Sequence, residues 1–203
     1  MKRSASLMHI VGINRQQGLS LIEVLVSLVI MAIGMLGAAG LFMTGLRGAT
    51  DSVYRTSAAQ AATEIADRMR INPLGVAAGN YVDNANAIAT NAAPGNNCSS
   101  AACTPLQQAT WDRITWARTL SNASLSGNAK DRASKIPQGV GAVCRDSTPD
   151  DGTPAGIACD GLATSPIVVK VWWSERALSA KEAESGNQVQ RRYVLSVVPP
   201  SLP

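Results

Sequence analysis

Residues 19–46 read LSLIEVLVSLVIMAIGMLGAAGLFMTGL, and Glu23 is the one charged side chain among them. From Val24 to Leu46 run 23 residues without charge. As an α-helix rising about 1.5 Å per residue they extend about 34 Å, enough to cross a bilayer hydrocarbon core of about 30 Å. The stretch before them, Met1 to Gly18, carries Lys2, Arg3 and Arg15 and no acid. That pattern fits a cytoplasmic flank, which would send whatever follows Arg47 outward. Two simple readings are an uncleaved single-pass anchor and a secretory signal cut after Ala39, behind the small residues Gly37-Ala38-Ala39. The apolar run exceeds the usual signal core of about 7–15 residues. Neither reading accounts for Glu23. A carboxylate near the start of an apolar helix is costly in lipid and marks a partner or a function.

The remaining composition is that of an ordinary exported domain. A chain of 203 residues holds one globular domain plus an attached helix rather than two domains. Its 46% hydrophobic content is unevenly spread and is densest in residues 19–46. The formal charge of +4 falls mostly on the first 18 residues; without Lys2, Arg3 and Arg15, the 18 basic side chains become 15 against 14 acidic ones. A nucleic-acid partner requires a dense basic face. Arg191-Arg192 is the only later adjacent basic pair, so no nucleic acid is expected. The four cysteines, Cys98, Cys103, Cys144 and Cys159, all follow the apolar run and suit two disulfides in an oxidising compartment. They lack the repeated CxxC spacing of a zinc site. Local pairing, Cys98 with Cys103 and Cys144 with Cys159, is the simplest of three connectivities. Closing the longer loop would contribute about 3 kcal/mol on the chain-entropy account.

Beyond the span the helix is expected to continue to Ile71. Val53, Ser57, Ala61, Ile65 and Met69 recur at four-residue spacing with Ala58, Ala62 and Ala66 beside them, an amphipathic face for a globular head. Asn72-Pro73 ends it, because the residue before proline avoids helical geometry. Leu74 to Cys103, rich in Gly, Ala, Asn and Pro, reads as a long surface loop. Thr104-Pro105-Leu106-Gln107 has the form of a capping box with proline at the first helical position. A helix to about Leu120 follows, with Leu106, Ala109, Ile114, Ala117 and Leu120 inward and Trp111 and Trp116 as packing residues. Val140–Arg145, Pro166–Ser174 and Gln190–Val198 read as strands joined by a polar hairpin connection after the second. In the middle strand Ile167, Val169, Val171 and Trp173 share one face, and Val168, Lys170 and Trp172 the other; Tyr193, Leu195 and Val197 fall together in the last. The fold class is α+β: a long N-terminal helix, hydrophobic then amphipathic, on a small antiparallel sheet.

No catalytic, cofactor-binding or metal-binding constellation emerges. The sole histidine, His9, precedes the apolar run, which removes histidine general-base catalysis from the remainder. No phosphate-cradling Gly-Lys-Ser/Thr loop occurs. Asp146-Ser147-Thr148-Pro149-Asp150-Asp151-Gly152 lacks the spacing and terminal Glu of a calcium loop and reads as a disulfide-bounded turn.

Gly18 followed by Leu19-Ser20-Leu21-Ile22-Glu23 and some twenty apolar residues resembles the N-terminal signal of type IV prepilins and type II secretion pseudopilins. The resemblance implies that a prepilin peptidase cuts the Gly18–Leu19 bond on the cytoplasmic side and methylates the Leu19 amine. It divides the chain into a leader (1–18), a transmembrane and assembly helix (19–46) and a periplasmic head (47–203). Leu19 departs from the common Phe or Met. Glu23 has a physical role of its own. In a fibre of packed apolar helices an unpaired carboxylate and an unpaired ammonium are each costly. Pairing Glu23 with a neighbouring subunit's N-terminal amine removes both costs and sets axial register. Gly34, Gly37 and Gly40 read as close helix packing or as a weak stretch around Ala32–Gly40, each Gly costing about 1 kcal/mol relative to Ala. Residues 66–73 (ADRMRINP), Gly79-Asn80-Tyr81, residues 139–144 (GVGAVC) and residues 168–173 (VVKVWW) are similar to PilV-type minor pilins, the type IV pilus modification proteins. That likeness implies a non-enzymatic subunit that helps initiate or modify the pilus. Its partners would be inner-membrane lipid, the prepilin peptidase, other minor pilins, the major pilin and the assembly platform. A type II secretion pseudopilin shares these features; a secreted disulfide-bonded binding protein is the third reading.

Overall fold

A computed structural model describes residues 20–89, 92–121, 136–177 and 188–199. Gly18 and Leu19, the leader before them, and the connection at 178–187 lie outside the described residues. The chain divides into two compact units, Met1–Leu46 and Arg47–Pro203. The elements are α1 (Leu21–Ile71), α2 (Pro73–Ala77), α3 (Pro105–Ser121), β1 (Val140–Arg145), β2 (Ile167–Arg176) and β3 (Gln188–Val197).

Helix α1 opens where the Ser20 carbonyl accepts from the amides of Glu23 (3.0 Å) and Val24 (3.3 Å). Residues 32–40 are helical, so the glycines at 34, 37 and 40 do not melt the helix in the single chain. Within the second unit the helix buries Ser57, Ala58, Ala62, Ile65, Ala66 and Met69. The small residues let neighbouring elements approach the backbone, while Ile65 and Met69 each contribute roughly 1.5–3 kcal/mol of apolar burial. Val53 is 58% exposed, contrary to its place in the periodic stripe. It lies one turn before the buried face begins at Ser57. Pro73 ends α1 because it has no amide hydrogen to donate and its ring clashes with the preceding turn. Asn72 then caps α2, its Oδ1 accepting from the Gly75 amide at 3.2 Å. Gly79, at φ +75°, closes α2 with the Schellman pattern: Asn80 N–H to Gly75 O and Gly79 N–H to Val76 O, both 2.9 Å.

The expected surface loop after Leu74 is more structured than its composition indicates. Besides α2, it places Tyr81 and Ile88 in the core. It also lines the outer edge of β1, where the Asp83 and Ile88 amides donate to Val143 O and Gly141 O, each at 2.9 Å. The capping box forms reciprocally: Thr104 N–H to Gln107 Oε1 at 2.9 Å and Gln107 N–H to Thr104 Oγ1 at 3.3 Å. Helix α3 buries Ala109, Ile114, Trp116, Ala117 and Leu120. Leu106, expected inward, is 57% exposed, because the helix contact begins a turn later at Ala109. Trp111 is only half-buried.

The sheet is antiparallel in the order β1-β2-β3. Strands β2 and β3 run to Arg176 and start at Gln188, both longer than their alternation alone marks. Central β2 is buried on both faces. Ile167, Val169, Val171 and Trp173 join the core with α1 and α3. On the other face Val168 and Trp172 cluster with Ala142, Cys144 and Ile157. Trp116 ties the layers together, its Nε1 donating to Ala61 O in α1 at 2.7 Å. A Cβ added at Gly141 of β1 would collide with the Trp116 ring and Leu120. Gly141→Ala is therefore expected to destabilise the head by about 1–3 kcal/mol through overpacking, lowering its thermal midpoint. Gly156→Ala, which meets open space, should leave the midpoint within error.

Candidate functional site

Every described residue from Ser20 to Leu46 is exposed, including Leu21, Ile22, Leu25, Leu36, Leu41 and Phe42. An apolar surface of this extent is not stable in water and marks contact with lipid or with other proteins. The helix is long and apolar enough to cross a membrane. Glu23 stands in its first turn, where the helix dipole favours a negative charge. Its carbonyl accepts from Ser27 Oγ at 2.7 Å, and its carboxylate has no described partner. Glu23 thus sits at the rim of a surface made otherwise of apolar and small uncharged side chains. Gly18 and Leu19 belong to the undescribed residues just before it.

At the far end of α1 a buried polar network holds three helices together. Asp112 of α3 is buried and accepts from Tyr81 Oη at 2.6 Å and Gln108 Nε2 at 2.8 Å, with the Arg68 guanidinium 3.7 Å away. Arg68 also donates to Thr115 Oγ1 at 2.7 Å and pairs with Glu64. Asn72 Nδ2 reaches Pro105 O at 2.8 Å and Tyr81 Oη at 3.2 Å. Burial, reinforced by the hydrogen bond to Asp112, raises the Tyr81 phenol well above its ordinary value. The segments 66–73 and 79–81 singled out in the sequence therefore meet in space. Asp112, which joins them, was missed; its signal was an acid on the inward stripe between Ala109 and Trp116.

On the other side of the sheet the sulfurs join Cys144 to Cys159, while Cys98 joins Cys103 in the loop before α3. Lys170 of β2 is 0% exposed beside the 144–159 loop. Its Nζ lies 2.5 Å from Asp146 Oδ2 and 3.0 Å from Asp151 Oδ1, and donates to Ile157 O at 3.0 Å. The acidic turn is thus folded around a lysine ammonium. Cys144, Asp146 and Cys159 lie close enough to suggest a metal site, but the two sulfurs are bonded to each other and the carboxylate is engaged by Lys170. Leaving either Lys170 or Asp146 buried without the other would be strongly unfavourable.

A family model for the prokaryotic N-terminal methylation motif matches residues 13–39, and one for the type IV pilin Tt1218 matches residues 40–114. The chain is a type IV prepilin-like protein. No curated protein and no solved structure matches it significantly. The methylation motif covers Glu23 and most of the exposed apolar helix, as far as Ala39. The pilin match runs from there through Arg68, Asn72, Tyr81 and Asp112, so it contains the polar network except Thr115, and it stops before the sheet and the 144–159 disulfide. The α+β arrangement, a long N-terminal helix on a three-stranded antiparallel sheet, is that of a type IV pilin. Pilins are structural subunits, and the exposed apolar helix fits a membrane-anchored one.

The raised Tyr81 phenol has a definite pH signature. Its stabilising effect is complete below the ordinary tyrosine value of about 10 and is lost as pH rises beyond it. The head should lose stability above about pH 10, with Tyr81 ionising only together with unfolding in an ultraviolet titration. Tyr81→Phe should lower stability at neutral pH by about 1–3 kcal/mol, by leaving Asp112 short of a donor, and flatten the alkaline decline.

Proposed function

We propose that this pilin is a minor subunit of a type IV pilus, of the PilV type, which helps to initiate or modify the fibre. The observation that carries the reading is the apolar half of α1, exposed from Leu21 to Leu46 with Glu23 as its lone charge. In this reading the prepilin peptidase removes residues 1–18 at the Gly18–Leu19 bond and methylates Leu19. The mature chain waits in the inner membrane through residues 19–46 with residues 47–203 in the periplasm. The assembly platform then transfers it into the fibre, where lipid contacts are exchanged for the helices of major and minor pilins.

Glu23 gives the transfer its register. When apolar helices pack, its carboxylate leaves water and needs a cation, and the adjoining subunit's N-terminal ammonium is the one such group the apolar segment offers. The two disulfides are consistent with an oxidising periplasm. The likeness of residues 66–73, 79–81, 139–144 and 168–173 to PilV-type proteins supports the minor-pilin role over that of a type II secretion pseudopilin.

Intact mass and N-terminal sequencing of membrane-extracted protein should show a chain beginning at methylated Leu19; a chain beginning near Gly40, or retaining Met1–Gly18 in fibres, would refute the maturation scheme. Deleting the gene should reduce fibres while leaving protein secretion intact, the converse result indicating a pseudopilin. Glu23→Ala should insert normally yet enter fibres poorly. Stranding an ammonium costs about 3 kcal/mol, roughly a hundredfold in incorporation, and wild-type incorporation would exclude the pairing.

A further inference from the structure

The two edges of the sheet are treated differently. The outer edge of β1 is covered by the chain itself: Asp83 and Ile88 donate to its carbonyls, and the Asn84 side chain accepts from Arg145 N–H at 2.8 Å. Strand β3 forms the other edge. It pairs with β2 without interruption from Ile167↔Val197 to Arg176↔Gln188, with no bulge, and Gln188–Val197 contains neither proline nor glycine. Among the described residues no backbone hydrogen bond leaves its outer side. Ten residues of regular strand offer an edge about 33 Å long. Bulges, prolines and very short edge strands, which natural proteins use to blunt such an edge, are missing here.

The charges on β3 do not blunt it either. Arg191 Nε bonds Glu175 Oε2 at 3.1 Å, and Arg192 donates to Gly152 O at 2.9 Å. Adjacent strand residues point to opposite faces, so one guanidinium lies over each face of the sheet rather than across the backbone rim between them. Arg192 carries five N–H donors, one of which goes to Gly152. We propose that the β3 edge is a docking site for an extended, acid-bearing segment of a neighbouring, different subunit, added as a fourth strand. Backbone bonds would supply affinity and a carboxylate beside Arg192 would supply selectivity. Charge argues against a second copy as occupant. Two β3 strands placed side by side bring two Arg192 guanidiniums together, and neither strand has an acid between Gln188 and Val197; like charges across a strand pair are destabilising.

This deepens the subunit reading given above, but its test needs no fibre. The full-length chain in detergent micelles is followed by amide hydrogen exchange with two synthetic nine-residue peptides, one alternating Glu and Val and the other Lys and Val. The outer β3 amides should exchange rapidly in the free protein. The Glu peptide should slow them at least tenfold without affecting β1, the Lys peptide should not, and Arg192→Glu should reverse the preference. Four results would overturn the proposal. They are rim amides already protected in the free chain, protection growing with protein concentration alone, equal protection by both peptides, and none by either. Comparing the two peptides on the wild-type chain decides the matter even if Arg192→Glu does not fold. A failed peptide assay leaves the Leu19 and Glu23 tests untouched, and failure of those leaves the edge chemistry standing.

Discussion

An α-helix satisfies its own backbone hydrogen bonds, so it can offer its entire side-chain surface to a non-aqueous neighbour without exposing a polar main chain. Everything else in this pilin follows from how α1 uses that freedom. Over residues 21–46 every side chain faces outward and nearly all are apolar or small, so lipid and other helices are interchangeable surroundings. Over residues 57–69 the same helix presents alanines and two larger side chains to a single globular core. The division lies in side-chain chemistry alone, since the backbone is helical throughout.

A helix with two tasks needs a firm hold at its globular end. Apolar burial along Ala58, Ala62, Ile65 and Met69 supplies attraction but little direction, because small side chains can slide past one another. The buried network of Asn72, Tyr81, Asp112 and Arg68 supplies direction. Each member has defined donors and acceptors, and leaving any of them unmet costs about 1–3 kcal/mol. The end of α1 is thereby indexed to α2 and α3. The Trp116 bond to Ala61 O adds a second index about two turns earlier along the helix, and Gly141 leaves room for that ring against the sheet.

The sheet shows the same pairing of apolar attraction with a few directional contacts. Its central strand is buried on both faces, yet Lys170 lies within it, balanced by Asp146 and Asp151. A buried ion pair is seldom the most stabilising choice for such a site. What it secures here is the position of the loop closed by Cys144 and Cys159, which folds over the second face. One edge is sealed by residues 83–88, while among the described residues no backbone hydrogen bond covers the regular edge of β3.

Much of this was legible from local chemistry. The apolar run with Glu23, the proline stop after Asn72, the reciprocal cap of Thr104 and Gln107, and the alternation of Ile167–Trp173 all rest on interactions within about four residues along the chain. Such interactions are present in any conformer that forms the element, so the sequence alone determines them. The exposure of Val53 and Leu106 shows where that reasoning stops. Periodicity says which side of a helix a residue occupies, not where along the helix a partner begins. Tyr81 meets Asp112 across 31 residues and Lys170 meets Asp151 across 19. The loop that lines β1 is likewise placed by contacts distant in the chain. A charged residue on an inward stripe has no favourable environment until another segment supplies one, so only tertiary packing could decide that Asp112 and Lys170 are buried and what they hold in place.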